Sequence, residues 1–216
     1  MVSVLLATYN DEKYIEKAVR SVLEQTHTDF ELLIGFNGTV DSSKDIVSKF
    51  NDDRIRVFDY GDDSGKSKTL NKMLKEANGD WYAIQDGDDV WAPKKLERQM
   101  KFSNDFDVIG TQITYINEND IPTGGPNLAK EDKDIKSKSL AGNNQVANSS
   151  AIFRKECADS TNGWNESLAG IEDFDFWLKL MRSDYKFINI PTHEVFHRIH
   201  SESNFNTNRY DISKIL

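Results

Sequence analysis

The sequence predicts an α/β fold: a mostly parallel central sheet flanked by helices, joined to a smaller second half. Three features carry that expectation. Strand-like and helix-like segments alternate over roughly the first hundred residues, the pattern of strands linked by crossover helices. The clearest strand-like segment is an unbroken apolar run, as a strand covered on both faces requires. Beyond residue 103 the alternation gives way to a long polar stretch. A length of 216 residues suits one domain whose halves meet near residues 103 and 104.

Residues 2–7, Val-Ser-Val-Leu-Leu-Ala, form the apolar first strand. Asn10 or Asp11 caps the helix that follows, where Tyr14, Ile15, Ala18, Val19, Val22 and Leu23 recur at three- and four-residue spacing. Residues 31–36 read as a second strand, 42–50 as a helix and 54–58 as a short third strand. Helical spacing returns at 67–77 through Leu70, Met73, Leu74 and Ala77, and Asn78-Gly79 stops it. Residues 81–85 make the fourth strand and run directly into Asp86-Gly-Asp-Asp89. A helix at 93–102 and a strand at 108–115 follow. Residues 117–138 are polar, carry mixed charge and hold Pro122 and Pro126, so a long functional loop is expected. The last third offers a strand at 149–153, a helix at 173–182 and a strand at 187–190.

Composition excludes several classes of function. Hydrophobic residues at 38% and charged residues at 29% describe a soluble chain, neither disordered nor membrane-embedded. Against 36 Asp and Glu stand 27 Lys and Arg, a formal net charge of -9, which repels nucleic-acid phosphates. The single cysteine, Cys157, allows neither an internal disulfide nor a thiolate metal site, which points to a reducing compartment. The only apolar run near the N-terminus, residues 2–7, is too short for a signal-peptide core or a membrane span.

Ligands of open α/β sheets bind beyond the carboxyl ends of the strands, so the segments there are the candidates. Asp86, Asp88 and Asp89 sit on such a turn with Gly87 between them, and carboxylates at alternate positions suit a hard divalent cation. The bland alternative is a solvated acidic turn. A helix-loop-helix calcium site fails, because Val90 falls at a ligand position and Trp91 where the loop needs glycine. Gly61-Asp-Asp-Ser-Gly-Lys-Ser67 imitates a P-loop, but is one residue short between its glycines, and Asp62 and Asp63 would repel phosphate. Lys66 or Lys68 remains available as a point charge for a phosphate.

Taken in order, several segments resemble family 2 glycosyltransferases with the GT-A fold. They are Val2-Ser-Val-Leu-Leu-Ala-Thr-Tyr-Asn10, Ser21-Val-Leu-Glu-Gln-Thr26, Asp29-Phe-Glu-Leu-Leu-Ile34, Leu70-Asn71 ahead of Ala77-Asn-Gly79, Asp86-Gly-Asp-Asp-Val-Trp91 with Pro93, and Glu172-Asp-Phe-Asp-Phe-Trp177. The resemblance spans about residues 1 to 205. It implies a Rossmann-like nucleotide-sugar-binding half fused to a smaller half that binds the acceptor and carries the base. Ala7, Thr8 and Tyr9 would then line the base and ribose pocket, with Asn37, Lys66 and Gly87 also on the donor side. Asp86 and Asp88 match the family's DXD motif, which binds Mn²⁺ or Mg²⁺, and His200 in His197-Arg-Ile-His200 would complete the metal site or contact the diphosphate. Asp173, paired with Glu172, matches the general base of an inverting single displacement. On pattern alone, Glu172 and Asp173 would be acidic residues at a helix start, and Asp175 surface.

One departure bears on the donor. The family commonly has two aspartates after its second strand, whereas this chain has Phe36-Asn37; the amide of Asn37 can still hydrogen-bond a base but carries no charge. Uridine is the first choice. The expected function is metal-dependent transfer of one hexose, with inversion, from a nucleoside diphosphate sugar to a hydroxyl of a glycan, glycolipid or glycoprotein. No nucleic acid, no transmembrane segment and a cytoplasmic site, bacterial or in a host cell, go with it; peripheral contact with a membrane stays open. The alternatives are a non-catalytic nucleotide-sugar-binding module and a P-loop phosphotransferase.

Overall fold

The structure is a computed structural model and describes residues 1–61, 65–201 and 212–216. Strands β1 (Val2–Thr8), β2 (Phe30–Phe36), β3 (Ile55–Asp59) and β4 (Trp81–Asp86) pair in parallel in the order β3-β2-β1-β4. Helices α1 (Ile15–Leu23), α2 (Ser43–Val47) and α3 (Gly65–Glu76) connect them. The chain steps outward from β1 to β3 and then returns to the other side of β1 as β4. That reversal opens a crevice at the carboxyl ends of β1 and β4, where Ala7 stands in register with Asp86.

The second half extends the same sheet. It contributes β5 (Val90–Trp91), α4 (Lys95–Met100), β6 (Val108–Ile116), β7 (Pro122–Gly124), α5 (Asp132–Leu140), β8 (Ile152–Arg154), α6 (Lys155–Thr161), α7 (Glu172–Met181) and β9 (Phe187–Arg198). Beyond β4 the order continues β8-β6-β9-β5, with β7 against β6. The long β6–β9 ladder is again parallel, while the β8, β7 and β5 pairings are antiparallel. No described helix is long and apolar enough to cross a membrane.

Alternation along the strands divides the core between the two faces of the sheet. Leu5, Leu33, Tyr82 and Ile84 pack with Leu70, Met73, Phe153, Phe176 and Trp177 on one face. Val4, Leu6, Leu32, Ile34 and Ala83 pack with Val19, Val22, Leu96 and Ile109 on the other. The apolar stripe predicted on α1 is buried, with Ile15, Ala18, Val19 and Val22 at 0% exposure. Its entry differs from the expected cap: Asn10 sits at φ 54, the Asp11 carbonyl accepts the Tyr14 and Ile15 N–H groups, and the helix starts at Ile15.

The polar stretch at 117–138 is not one loop. It contains β7 and most of α5, whose buried residues are only Ile135 and Ser139, too weak an apolar stripe to register in the sequence. The strand expected at 149–153 starts instead with a 3-10 turn at Asn148–Ser150, and only residues from Ile152 onward join the sheet. The last strand continues past Ile190 to Arg198, because a register shift beside Thr111 and Gln112 takes up Pro191 and Thr192. Asp175 is buried, not on the surface, and pairs with Lys179 Nζ at 2.7 Å. Trp164 stacks on Phe176 at 4.9 Å inside the core, so it presents no face to a sugar.

Phe153 is the hub of that aromatic core, with ring centroids of Phe176, Trp177, Tyr82 and Trp164 at 5.2, 5.6, 5.8 and 6.0 Å. Phe153→Ala is expected to cost about 3–5 kcal/mol in denaturant unfolding through the cavity it leaves. Val57→Ala, at a half-exposed side chain, should stay within about 0.5 kcal/mol of wild type.

Candidate active site

A cleft of about 1290 Å³ opens at the carboxyl ends of β1 and β4. Ala7, Tyr9, Asn37, Lys66, Asp86, Gly87 and Asp88 line its nucleotide-half wall. Glu172, Asp173, His197, His200 and the segment at 143–149 line the rest. The structure therefore brings together the site residues read from the sequence except Thr8, Asp89 and Lys68. Thr8 is buried beneath the cleft, where its hydroxyl donates to Asp11 Oδ2 at 2.7 Å and its carbonyl accepts the Asn37 N–H at 3.2 Å. Of the P-loop-like segment, residues 62–64 lie outside the described residues, as do residues 202 and 203 after the His200 segment.

The acidic turn is built on close backbone approach. A Cβ on Gly87 would meet Asp11 Oδ2 at 2.2 Å, so only glycine lets the turn lie over that carboxylate. Asp11 is a site residue that the sequence shows only as a candidate helix cap. Its Oδ2 accepts from Thr8 and from the Tyr9 N–H, fixing the segment after β1 beneath the turn. Burial, with the negative charges of Asp88 and Asp86, pushes its carboxyl up to about 6.

Cations separate the remaining carboxylates. Lys66, in the first turn of α3, donates to Asp86 Oδ1 at 2.6 Å, and Asn148 Nδ2 reaches the same oxygen at 3.5 Å. Burial alone would lower the Lys66 ammonium, but Asp86, Glu172 and Asp173 together hold it above its ordinary range. His200 Nε2 lies 3.1 Å from Asp88 Oδ2. Burial works against ionising Asp88, yet His200, His197 and Lys66 keep its carboxyl below the usual range. Desolvation likewise opposes charge on His197, but Asp89 at 3.0 Å raises the imidazole to about 9.

Across the cleft, Glu172 and Asp173 open α7. Asp173 Oδ1 accepts the Phe174 N–H at 2.7 Å, and burial with the adjacent charge of Glu172 raises its carboxyl to about 7. Glu172 is buried, and its Oε2 has no hydrogen-bond partner among the described residues. Ile171 holds the cap position without a side-chain cap, and of the two acidic residues only Asp173 takes a first-turn N–H, so helix-end bonding does not account for the buried Glu172. A carboxyl poised near neutrality in a cleft has the protonation behaviour of a general base.

Asp86, Asp88 and His200 line the same cleft with carboxylate oxygens and an imidazole nitrogen, donor types that suit a hard divalent cation. Among the described residues no three acidic, His or Cys side chains are grouped closely enough to hold a metal ion.

Gly87→Ala should lower stability by about 1–3 kcal/mol, because the new methyl group meets Asp11. Combined with Asp11→Ala, part of that loss should return, a coupling of about 0.5–3 kcal/mol in a double-mutant cycle. Strictly additive losses would show that the contact is not the cause.

The family model described as Glycosyl transferase family 2 matches residues 3–159. An uncharacterised glycosyltransferase of Methanocaldococcus jannaschii is 29% identical over 218 residues, covering 95% of this chain and 73% of that protein. WfaP of Escherichia coli, named a UDP-Glc:alpha-D-GlcNAc-diphosphoundecaprenol beta-1,3-glucosyltransferase, is 28% identical over 205 residues, covering 94% and 79%. Residues 1–349 of S. aureus TarS, solved with UDP-GlcNAc, superpose with a TM-score of 0.81 at 19% identity, over 99% of this chain but 63% of that one. The mannosyltransferase PcManGT of Pyrobaculum calidifontis, solved with GDP-Man and Mn²⁺, gives 0.72 at 18% identity over 94% and 58%. This chain thus spans less than two thirds of those solved structures and has their GT-A fold. From Ala7 and Asp86 at the switch of the sheet to the matched span of the family model, the chain belongs to glycosyl transferase family 2.

Proposed function

We propose that this glycosyltransferase uses a divalent cation and inverts the anomeric centre, moving one hexose from a UDP-sugar to a hydroxyl of a glycan, glycolipid or glycoprotein. The observation that carries the reading is that the Glu172–Asp173 pair opening α7 lines the same cleft as Asp86, Asp88 and His200. A base on one side and a phosphate-and-metal wall on the other leave room for a sugar between them. The names of the relatives and of the bound neighbours agree with a nucleotide-sugar donor.

The residues then divide the work. Ala7 and Tyr9 flank the base and ribose, and Asn37, at the edge of β2, offers an amide to the uracil. Lys66 releases part of its hold on Asp86 to meet a phosphate oxygen. Asp86, Asp88 and His200 would hold Mn²⁺ or Mg²⁺, whose charge makes the diphosphate a better leaving group. Asp173 takes the proton of the acceptor hydroxyl; the acceptor oxygen bonds the anomeric carbon from the face opposite the phosphate. The bond from that carbon to the phosphate oxygen breaks, and its electron pair leaves with the diphosphate. One displacement of this kind inverts the centre. The amides of Asn127, Asn143 and Asn148 face the acceptor side with hydrogen-bonding groups fit for hydroxyls.

Assay of a panel of UDP-, GDP- and dTDP-sugars, with Mn²⁺ and after chelation, should give turnover of a UDP-hexose that chelator abolishes and Mn²⁺ restores. Absence of metal-dependent turnover for every donor would sink the reading. The profile of kcat/KM against pH should rise as pH climbs through about 7, where Asp173 loses its proton in the free enzyme.

Asp173→Asn should keep UDP affinity and lose transfer by at least about a thousandfold. Because the folded carboxyl titrates near 7 and the unfolded one near 3.8, the folded state binds more protons between those values. Stability therefore falls as pH rises through that window. At pH 8 the Asn variant should melt a few degrees above wild type, a gain that a residue serving only the fold would not give.

A further inference from the structure

Asp89 and Arg198 are both fully buried, and neither carries a step of the proposed reaction. Arg198 is the largest buried cation of the second half, and its donors reach separate segments. Nε donates to the Asp88 carbonyl at 2.8 Å, Nη1 to the Asn117 carbonyl at 3.0 Å and Nη2 to Asp120 Oδ1 at 2.7 Å. The guanidinium lies over the Tyr14 ring, 4.6 Å from its centroid. Asp89 answers in the opposite sense. Its Oδ1 accepts the Arg198 N–H at 2.9 Å, while Oδ2 accepts the Ser149 hydroxyl and pairs with His197 Nδ1 at 3.0 Å.

The arrangement is reciprocal. The side chain of Arg198 holds the main chain of Asp88, and the side chain of Asp89 holds the main chain of Arg198. The counter-charge for Arg198 comes from Asp120, so the Asp88 carboxylate is left to face His200 and the cleft. A planar, forked cation meets acceptors on these segments at once, which a lysine ammonium on its flexible stem would not reproduce. Burying so many charged donors and acceptors is retained only where their partners are fixed.

We propose that Arg198 and Asp89 are positioning residues that lock the Asp86–Asp89 turn to the end of β9 and thereby set Asp88 against His200. The inference rests on the glycosyltransferase reading only for its consequence, the affinity for a metal-bridged diphosphate; the lock itself is a property of the protein's own contacts.

The test uses Asp89→Asn, Asp120→Asn and Arg198→Lys, with Arg154→Lys as control. Arg154 also pairs with an aspartate, Asp107 at 3.1 Å, and stacks on Trp81, but stands away from the cleft. Amide hydrogen exchange of residues 86–91 is followed without metal or nucleotide, and UDP affinity with Mn²⁺ is measured by calorimetry. The three variants should speed exchange in that segment while β1 and β2 keep their protection, and should weaken UDP binding in Mn²⁺ by about 10- to 100-fold. Arg154→Lys should lower the melting temperature and leave both readouts unchanged. If Arg198→Lys does not fold, Asp120→Asn decides, since it removes one partner at a partly exposed position. Unchanged exchange and unchanged affinity in Asp89→Asn and Asp120→Asn would overturn the lock. Wild-type protein that binds no UDP would instead overturn the reading of the site, and the exchange arm would still test the lock.

Discussion

Crowded negative charge at the ends of two parallel strands is the constraint on which the rest of this structure depends. The register that sets Ala7 beside Asp86 also brings Asp11, Asp88 and the opening of α7 around one cleft. Carboxylates this close, and this far from water, raise one another's proton affinity, as Asp11 and Asp173 both show. Folding therefore sets basic side chains at defined places. Lys66 separates Asp86 from Glu172 and Asp173, His200 faces Asp88, and His197 faces Asp89. Lys66 comes from α3, and His197 and His200 from the end of β9 and just beyond it, so the charge pattern ties α3 and β9 to the acidic turn.

The sheet makes such a cleft affordable. Both of its faces are covered, and both apolar clusters contain residues from the first strands and from β6 or β8. Tyr82 packs against Phe153, so the strand that ends in the acidic turn is backed by the second half of the chain. Apolar burial of this extent can offset the cost of holding ionisable groups away from water. Sites built to act on charged ligands commonly carry such local instability, supported from elsewhere.

Where apolar period and length were strong, the elements were legible in the sequence. The continuous run of β1 and the stripe of α1 needed no tertiary information, and the fold class followed from the alternation they begin. The second half was harder for identifiable reasons. Two-residue β5 has no period to detect, α5 buries only Ile135 and Ser139, and Pro191 reads as a strand end unless a bulge on the partner pairing is known. Within the site, the Asp86-Gly-Asp88 turn and the Glu172-Asp173 pair stood out by residue type and place. Asp11 did not, because its role is fixed by Gly87, a residue distant in sequence whose missing side chain makes the room. Arg198 and Asp89 were visible as letters of motifs, but their reciprocal grip depends on the long reach of β9 back to the turn after β4.

The net charge of -9 gains a more specific meaning from this geometry. An acidic protein is a poor partner for a diphosphate unless positive charge is concentrated where the phosphates lie. Lys66 is such a charge, yet it is already engaged by Asp86 and influenced by Glu172 and Asp173. Moving it toward a phosphate would leave Asp86 without its counter-ion beside Asp88. On the proposed reading, a divalent cation arriving with the diphosphate would remove that conflict, compensating Asp86 and Asp88 while neutralising the phosphates. Metal and donor should then bind as one cooperative unit, each poor without the other. The requirement arises from charge balance in the cleft as a whole, not from the two aspartates of the turn alone.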